Sequence, residues 1–179
     1  MELDRTLGVV ENSEFVGEAL AYSMEVTIPG GRLPAAVVDY VAVQPTHRRR
    51  GILTKMMDRQ LKDIHERGES LAILEASESA IYHRFGYGIG SLREDWAIAR
   101  EHTRFSKPLK QCPDVRFIDK KEAKSLIPEI YGRAALLRQG MIIFSSAWWE
   151  FFLEDPEDIR RGSSALFHVV CKLDGSARG

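Results

Sequence analysis

Arg48, Arg49 and Arg50, followed by Gly51, are the residues of this chain best suited to chemistry. Three successive guanidinium groups carry fixed positive charge and forked donors of the shape that phosphate oxygens accept. Their surroundings narrow the role. Val41, Ala42 and Val43 end an apolar extended run that Pro45 stops, since proline cannot donate to a sheet ladder. Ile52, Leu53, Met56, Met57, Leu61 and Ile64 then fall at helical spacing, so the arginines occupy a strand-to-helix turn. Unpaired N–H groups and the positive end of the dipole make such a helix start an anion site. Gly51 lets a ligand approach the backbone with no Cβ in the way. Without a ligand, the same residues are a solvated basic run at an ordinary helix start, and residue types alone divide evenly between the two. A nucleotide P-loop fits poorly, because G-x-x-x-x-G-K-[ST] requires glycines and a lysine that this loop lacks.

A second chemical stretch comes after the apolar run Ser70–Ala76 and begins Ser77-Glu78-Ser79-Ala80-Ile81-Tyr82. Ser77 is expected to cap a helix of one or two turns at the carboxyl end of a parallel strand, where open α/β sheets bind ligands. Tyr82 then lies on that helix, where its phenol can face a cleft; the alternative is an aromatic cluster with Phe85 and Tyr87, a role that suits the latter two. Two histidines invite reading as bases. His47 lies beside the anion site and reads as a surface residue, and His83 points away from the cleft if Tyr82 points in. Cys112 and Cys171 have no metal-ligand spacing, so no metal is expected and both read as free thiols of a reducing cytoplasm.

The elements that must position these groups can be read from pattern. Leu7–Glu11 and Phe15–Thr27 read as strands joined at Asn12-Ser13, and Leu33–Gln44 as a third running into the arginine loop. The helix extends from Gly51 to about Arg67 and stops at Gly68. Ser70–Ala76 is expected to be a strand buried on both faces and parallel to its predecessor. Ser91–Ala99 alternates as a further strand (Leu92, Trp96, Ile98), and Arg100–Pro113 reads as a polar linker. Val115–Ile118 begins a new run of elements. Asp119 with Glu122 forms a capping-box-like helix start. Pro128 is expected to interrupt that helix and to open a second one, running to about Arg138. Ser146–Glu154 is a helix with an apolar face, and Ala165–Leu173 a strand.

The chain has 179 residues, enough for one domain or one and a part. Its hydrophobic fraction of 44%, charged fraction of 28% and formal net charge of −1 are those of an ordinary soluble protein. Basic character is local to the arginine loop, which argues against nucleic acid or an acidic membrane as a general partner. There is neither a run of membrane-spanning length nor a signal-peptide pattern, so the expected location is the cytoplasm.

The string V-x-V-x-P-x-x-R-R-x-G-I/L at a strand-to-helix junction resembles the coenzyme A pyrophosphate loop (Q/R-x-x-G-x-G/A) of the GNAT N-acetyltransferase superfamily. Arg48 and Gly51 match its first and fourth positions, while Leu53 stands where many members have glycine or alanine. The fuller string THRRRGIL, with ASESAIYHRFGYG after it, resembles the enhanced intracellular survival (Eis) family of that superfamily. The resemblance covers Val9 to Arg100 well and the rest more loosely.

That resemblance implies an α/β (α+β) fold with a GNAT-like mixed, mostly antiparallel sheet flanked by helices. Residues 1–100 are expected to be a partial GNAT module carrying the coenzyme A loop, 101–113 a linker, and 114–179 the opening of a second GNAT-like module. The chain is thus expected to be a fragment, lacking the first module's opening strand and helices. The implied activity is acetyl transfer from acetyl-CoA to a primary amine of a small molecule or a lysine. The alternative is a coenzyme A-binding or regulatory module without turnover. The backbone of Val41, Ala42 and Val43 is expected to hold the pantetheine arm, and Arg49, Arg50, Gly51, Ile52, Leu53 and Thr54 the pyrophosphate. Ser77 and Glu78 match cofactor-contacting positions, and Tyr82 is the implied general acid that protonates the departing thiolate. The full-length form is expected to be a homo-oligomer.

Overall fold

The computed structural model describes residues 2–107, 114–160, 162–173 and 176–177. Cys112 and the last part of the expected linker lie outside the described residues, as does Gly179. The backbone groups into two compact units, Met1–Gly88 with Ala135–Ser145, and Ile89–Ala134 with Ser146–Gly179.

The first unit is built on a meander of three strands, β1 (Thr6–Glu11), β2 (Glu14–Ile28) and β3 (Gly31–Val43), each antiparallel to the next. Asn12 and Ser13 take positive φ in the tight turn between the first two, and Gly30 does so in the second turn. Helix α1 (Ile52–Glu66) then crosses the sheet, and β4 (Leu71–Leu74) returns parallel to β3, as expected of a strand–helix–strand unit. Met56, Met57, Gln60 and Ile64 form the buried stripe of α1. Small residues make room for the helix: Ala21 and Ala36 lie in one cluster with Val38 and Ile64. Gly17 serves the same end, since a Cβ there would come within 3.1 Å of Ile52 Cγ2 and 3.3 Å of Met56 Sδ.

Two ties close this unit. The Arg5 side chain is fully buried and bonds both carboxylate oxygens of Glu69, at 2.7 and 2.6 Å, with Ser23 Oγ accepting a third bond. The start of β1 is thereby fastened to the loop after α1. The second tie is Thr27, only 4% exposed. Its hydroxyl donates to Arg138 C=O and accepts from Met141 N–H, while its own N–H and C=O bond Met141 and Gly140. Residues 142–143 (β6, Ile142–Ile143) thus pair with β2 on the edge that β1 leaves free.

The second unit pairs β5 (Asp114–Ile118) with β7 (His168–Leu173) and β7 with β8 (Ser176–Ala177). Helices α2 (Lys120–Leu136) and α3 (Ser146–Glu154) pack on this small sheet through Ala123, Leu153, Ile118 and Val170. Asp119 caps α2 as expected, its carboxylate accepting the Glu122 N–H at 2.7 Å.

Several local expectations are corrected. Pro128 does not divide the helix: Leu126, Ile127 and Ile130, on both sides of it, pack on the same core. That shared burial offsets the roughly 3 kcal/mol a helix-interior proline costs. Ser91–Ala99 forms no strand, and Leu92, Trp96 and Ile98 are exposed. Alternating side chains specify a strand only where a neighbouring edge completes the hydrogen-bond ladder, and here Arg93–Asp95 and Trp96–Glu94 side-chain contacts are local instead. Among the described residues β4 consequently ends the sheet with a partner on one side, and it is half-buried rather than buried on both faces. Past it, Ser77 caps no α-helix: two 3-10 turns, Ser79–Ile81 and His83–Phe85, take its place. A segment this short, closed by Gly86 at φ 91°, cannot repay helix nucleation.

Candidate active site

Because β3 and β4 run parallel, the loops leaving their carboxyl ends emerge on one edge of the sheet. The first carries the arginines and the second carries Ser77 to Tyr82, so topology brings the two chemical stretches to the same edge. Pairing between β3 and β4 stops at Val38 with Leu74, whereas β3 continues alone on that side to Val43. The Gln44 N–H bonds Val16 on the β2 side at 2.9 Å. By the alternation of an antiparallel ladder, the backbone groups of Ala42 face β2, and those of Val41 and Val43 face away from it, past the end of β4.

A bulge interrupts the β2–β3 ladder at Tyr40. Its φ is +51°, and the β2–β3 register slips there, from Leu20 opposite Asp39 to Glu18 opposite Ala42. Asp39 Oδ1 accepts the Tyr40 N–H at 2.8 Å and so holds the unusual turn. A non-glycine residue at positive φ is costly and concentrates where backbone is being re-aimed.

Beyond Val43 a 3-10 turn (Pro45–His47) leads to the arginines. Arg49 sits at φ 62° and Gly51, the residue before α1, at φ 80°, so the chain curls twice in the left-handed sense. Such curls gather successive N–H groups into an anion-binding concavity. Within α1 the first N–H to bond back is that of Lys55, to Gly51 C=O at 3.1 Å. The N–H groups of Ile52, Leu53 and Thr54 have no acceptor within the helix. Gly51 has open space around its Cβ position, so its requirement is purely conformational. Arg48, Arg49 and Arg50 are exposed. Arg50 leans toward β1, where Glu11 Oε2 accepts from Arg50 Nη1 at 2.9 Å and meets His47 Nε2 at 2.8 Å.

Tyr82 comes directly after the first of the two 3-10 turns and is half-buried, edge-on to the Tyr87 ring at 5.9 Å. Burial pushes its pKa above the ordinary phenol value, so the hydroxyl keeps its proton at neutral pH and can act only as a donor of it. Tyr87 is pushed to about 12, by burial first and by nearby Tyr82 second, and its buried hydroxyl has no hydrogen-bond partner among the described residues. Ser77 and Glu78 are exposed on the same loop. Glu11, Tyr40 and two further cations, Lys55 and Arg59, belong to this edge of the molecule but were not singled out by sequence reasoning; only Asp39, a lone acid in an apolar strand, hinted at the bulge.

Residues 1–90 match the family described as the acetyltransferase (GNAT) domain. The chain belongs to that family. Relatives that match along most of this chain support it: an uncharacterized N-acetyltransferase of Streptomyces avermitilis is 42% identical over 99% of this chain and 44% of its own. N-acetyltransferase Eis of Mycobacterium bovis is 33% identical over 91% of this chain and 42% of its own. Among solved structures, Eis1 from Mycobacterium abscessus superposes with a TM-score of 0.69 at 36% identity, covering 96% of this chain and 43% of that one. The chain therefore spans less than half the length of each of these three relatives. Their likeness bears out the expected fold, a mixed and mostly antiparallel sheet with helices.

Proposed function

We propose that this chain carries the cosubstrate half of an acetyl-CoA-dependent N-acetyltransferase acting on a primary amine, of a small molecule or a lysine side chain. One observation carries the reading: β3 runs on past the end of β4 and leads directly to a left-handed curl, a helix start and three arginines. The residues fit coenzyme A chemically. Val41 and Val43 turn backbone donors and acceptors away from β2, where an extended arm that contains amides can meet them as one more strand would. Arg49, Arg50 and the N–H groups from Gly51 to Thr54 meet the charge of a pyrophosphate. When bound, acetyl-CoA supplies the acetyl thioester. Tyr82 holds a proton on its phenol oxygen beside the same edge, and in this reading releases it to the departing sulfur. Ser77 and Glu78 flank that position on the loop.

The test is calorimetric titration of acetyl-CoA against Arg49→Ala/Arg50→Ala. Affinity is expected to fall by about 1–3 kcal/mol, the scale of charge-assisted hydrogen bonds. Unchanged affinity would remove the loop from the cosubstrate site.

A further inference from the structure

Tyr82 stands between the two 3-10 turns of its loop, and Tyr87 lies just past the second. Phe85 N–H donates to Tyr82 C=O and Gly86 N–H to His83 C=O, each at 3.0 Å. Gly86 then takes φ 91°, a left-handed step that other residues adopt at a cost. A Cβ there would meet nothing within 4 Å, so the position asks for the conformation alone. Beyond this step the Tyr87 ring meets Tyr82 edge-on, with centroids 5.9 Å apart and planes at 69°, a favoured arrangement for aromatic pairs. Phe85, between them in sequence, has a different neighbour: the Arg84 guanidinium lies 4.8 Å over its ring.

Among the described residues no hydrogen bond orients the Tyr82 side chain, so its phenol points where packing sends it. The contact from Tyr87 is made by the ring alone, because the Tyr87 hydroxyl is buried with no hydrogen-bond partner among the described residues. That hydroxyl titrates only at about 12, held up by burial first and by Tyr82 second, so the neighbour of Tyr82 is a neutral one. A general acid depends on geometry before pKa, since the proton is delivered along a hydrogen bond. A phenol on a short turn without a polar tether needs a wall to hold that geometry. We propose that Tyr87 is the positioning residue of the acid, its ring edge fixing the Tyr82 phenol in the direction from which it protonates the departing sulfur. The inference rests on the acetyltransferase reading of Tyr82. The proton passes from the Tyr82 oxygen to the thiolate, leaving a phenolate, and Tyr87 acts only through Tyr82.

The experiment compares Tyr87→Phe, Tyr87→Leu and Gly86→Ala with wild type in a thiol-release assay with acetyl-CoA and spermidine. Nuclear magnetic resonance of ring-labelled tyrosine follows the ionisation of Tyr82, identified by its loss in Tyr82→Phe, and circular dichroism checks each fold. Tyr87→Leu removes the edge but keeps apolar bulk. Its kcat should fall about tenfold or more, with KM for acetyl-CoA held within about twofold, because a small misplacement of a reacting group is costly. Gly86→Ala alters neither ring and should show the same split by straining the turn. Tyr87→Phe keeps the edge and should keep kcat within about twofold. Tyr82 should ionise closer to the ordinary phenol value in Tyr87→Leu and unchanged in Tyr87→Phe. Unchanged kcat and unchanged Tyr82 ionisation in Tyr87→Leu would overturn the assignment. So would a Tyr87→Phe variant as slow as Tyr87→Leu, which would give the role to the hydroxyl. A wild-type chain without turnover would overturn the reading of Tyr82 as an acid at work in this chain, and the titration alone would then decide whether Tyr87 holds that ring.

Discussion

Glu11→Gln should tighten coenzyme A binding. The Glu11 carboxylate accepts from Arg50 at 2.9 Å and meets His47 at 2.8 Å, so it competes with any phosphate for Arg50. Arg50 and Glu11 are 52% and 43% exposed, which places their pairing among surface ion pairs of roughly 0.2–1 kcal/mol. Repulsion between the carboxylate and a phosphate a few ångströms away adds up to about 1 kcal/mol in water-like surroundings. Together these predict a gain of about 0.5–1.5 kcal/mol, or roughly two- to tenfold in affinity. Calorimetry at two ionic strengths reads it, and the gain should shrink in salt because the groups are solvated. In an Arg50→Gln background the same change should lose the part that comes from freeing Arg50. A weaker affinity in Glu11→Gln would refute the reasoning and show that the carboxylate holds Arg50 in its binding position.

Tyr82→Phe keeps the ring and removes the proton; in a thiol-release assay with an amine acceptor kcat should fall about 10²-fold or more, with acetyl-CoA affinity little changed. Arg5→Ala strands the buried Glu69 carboxylate and should cost about 3–5 kcal/mol by denaturant unfolding, whereas Arg5→Met with Glu69→Leu should restore most of it. At alkaline pH the buried tyrosines titrate late. An unfolded tyrosine ionises near 10 and Tyr87 only at about 12, so the stability from its neutral form is intact below pH 10 and lost between the two, which ultraviolet difference absorbance and unfolding midpoints should track together.

The meander, the helix and the parallel return strand were legible because each rests on a local signal: period-two or helical spacing closed by Asn12-Ser13, Gly30 or Gly68. The strand-to-helix turn that carries the arginines was legible for the same reason. Tyr40 was not. In β3 the residues that pack with Ile64 are Ala36 and Val38, and then Val41, so the alternation changes phase at the bulge. A window that averages over the strand cannot see one inserted residue. Ser91–Ala99 failed in the opposite way, since its alternation is genuine but strand formation depends on an edge elsewhere in space. Glu11, Lys55 and Arg59 are ordinary surface residues by type, and only the crossing of α1 over β1 makes them neighbours.

Thr27 imposes an order on the birth of the protein. A chain leaving the ribosome presents β1 to β4 in one passage, but the partners of Thr27 arrive only with Arg138, Gly140 and Met141. Until then its hydroxyl, N–H and carbonyl must be served by water, on a residue that is buried in the finished fold. Left unserved in a closed sheet, each group costs about 1–3 kcal/mol. A nick or stop between Gly88 and Ala135 would therefore leave that end of β2 frayed even with every strand of the meander present. The unit that starts folding first waits on a segment born inside the second.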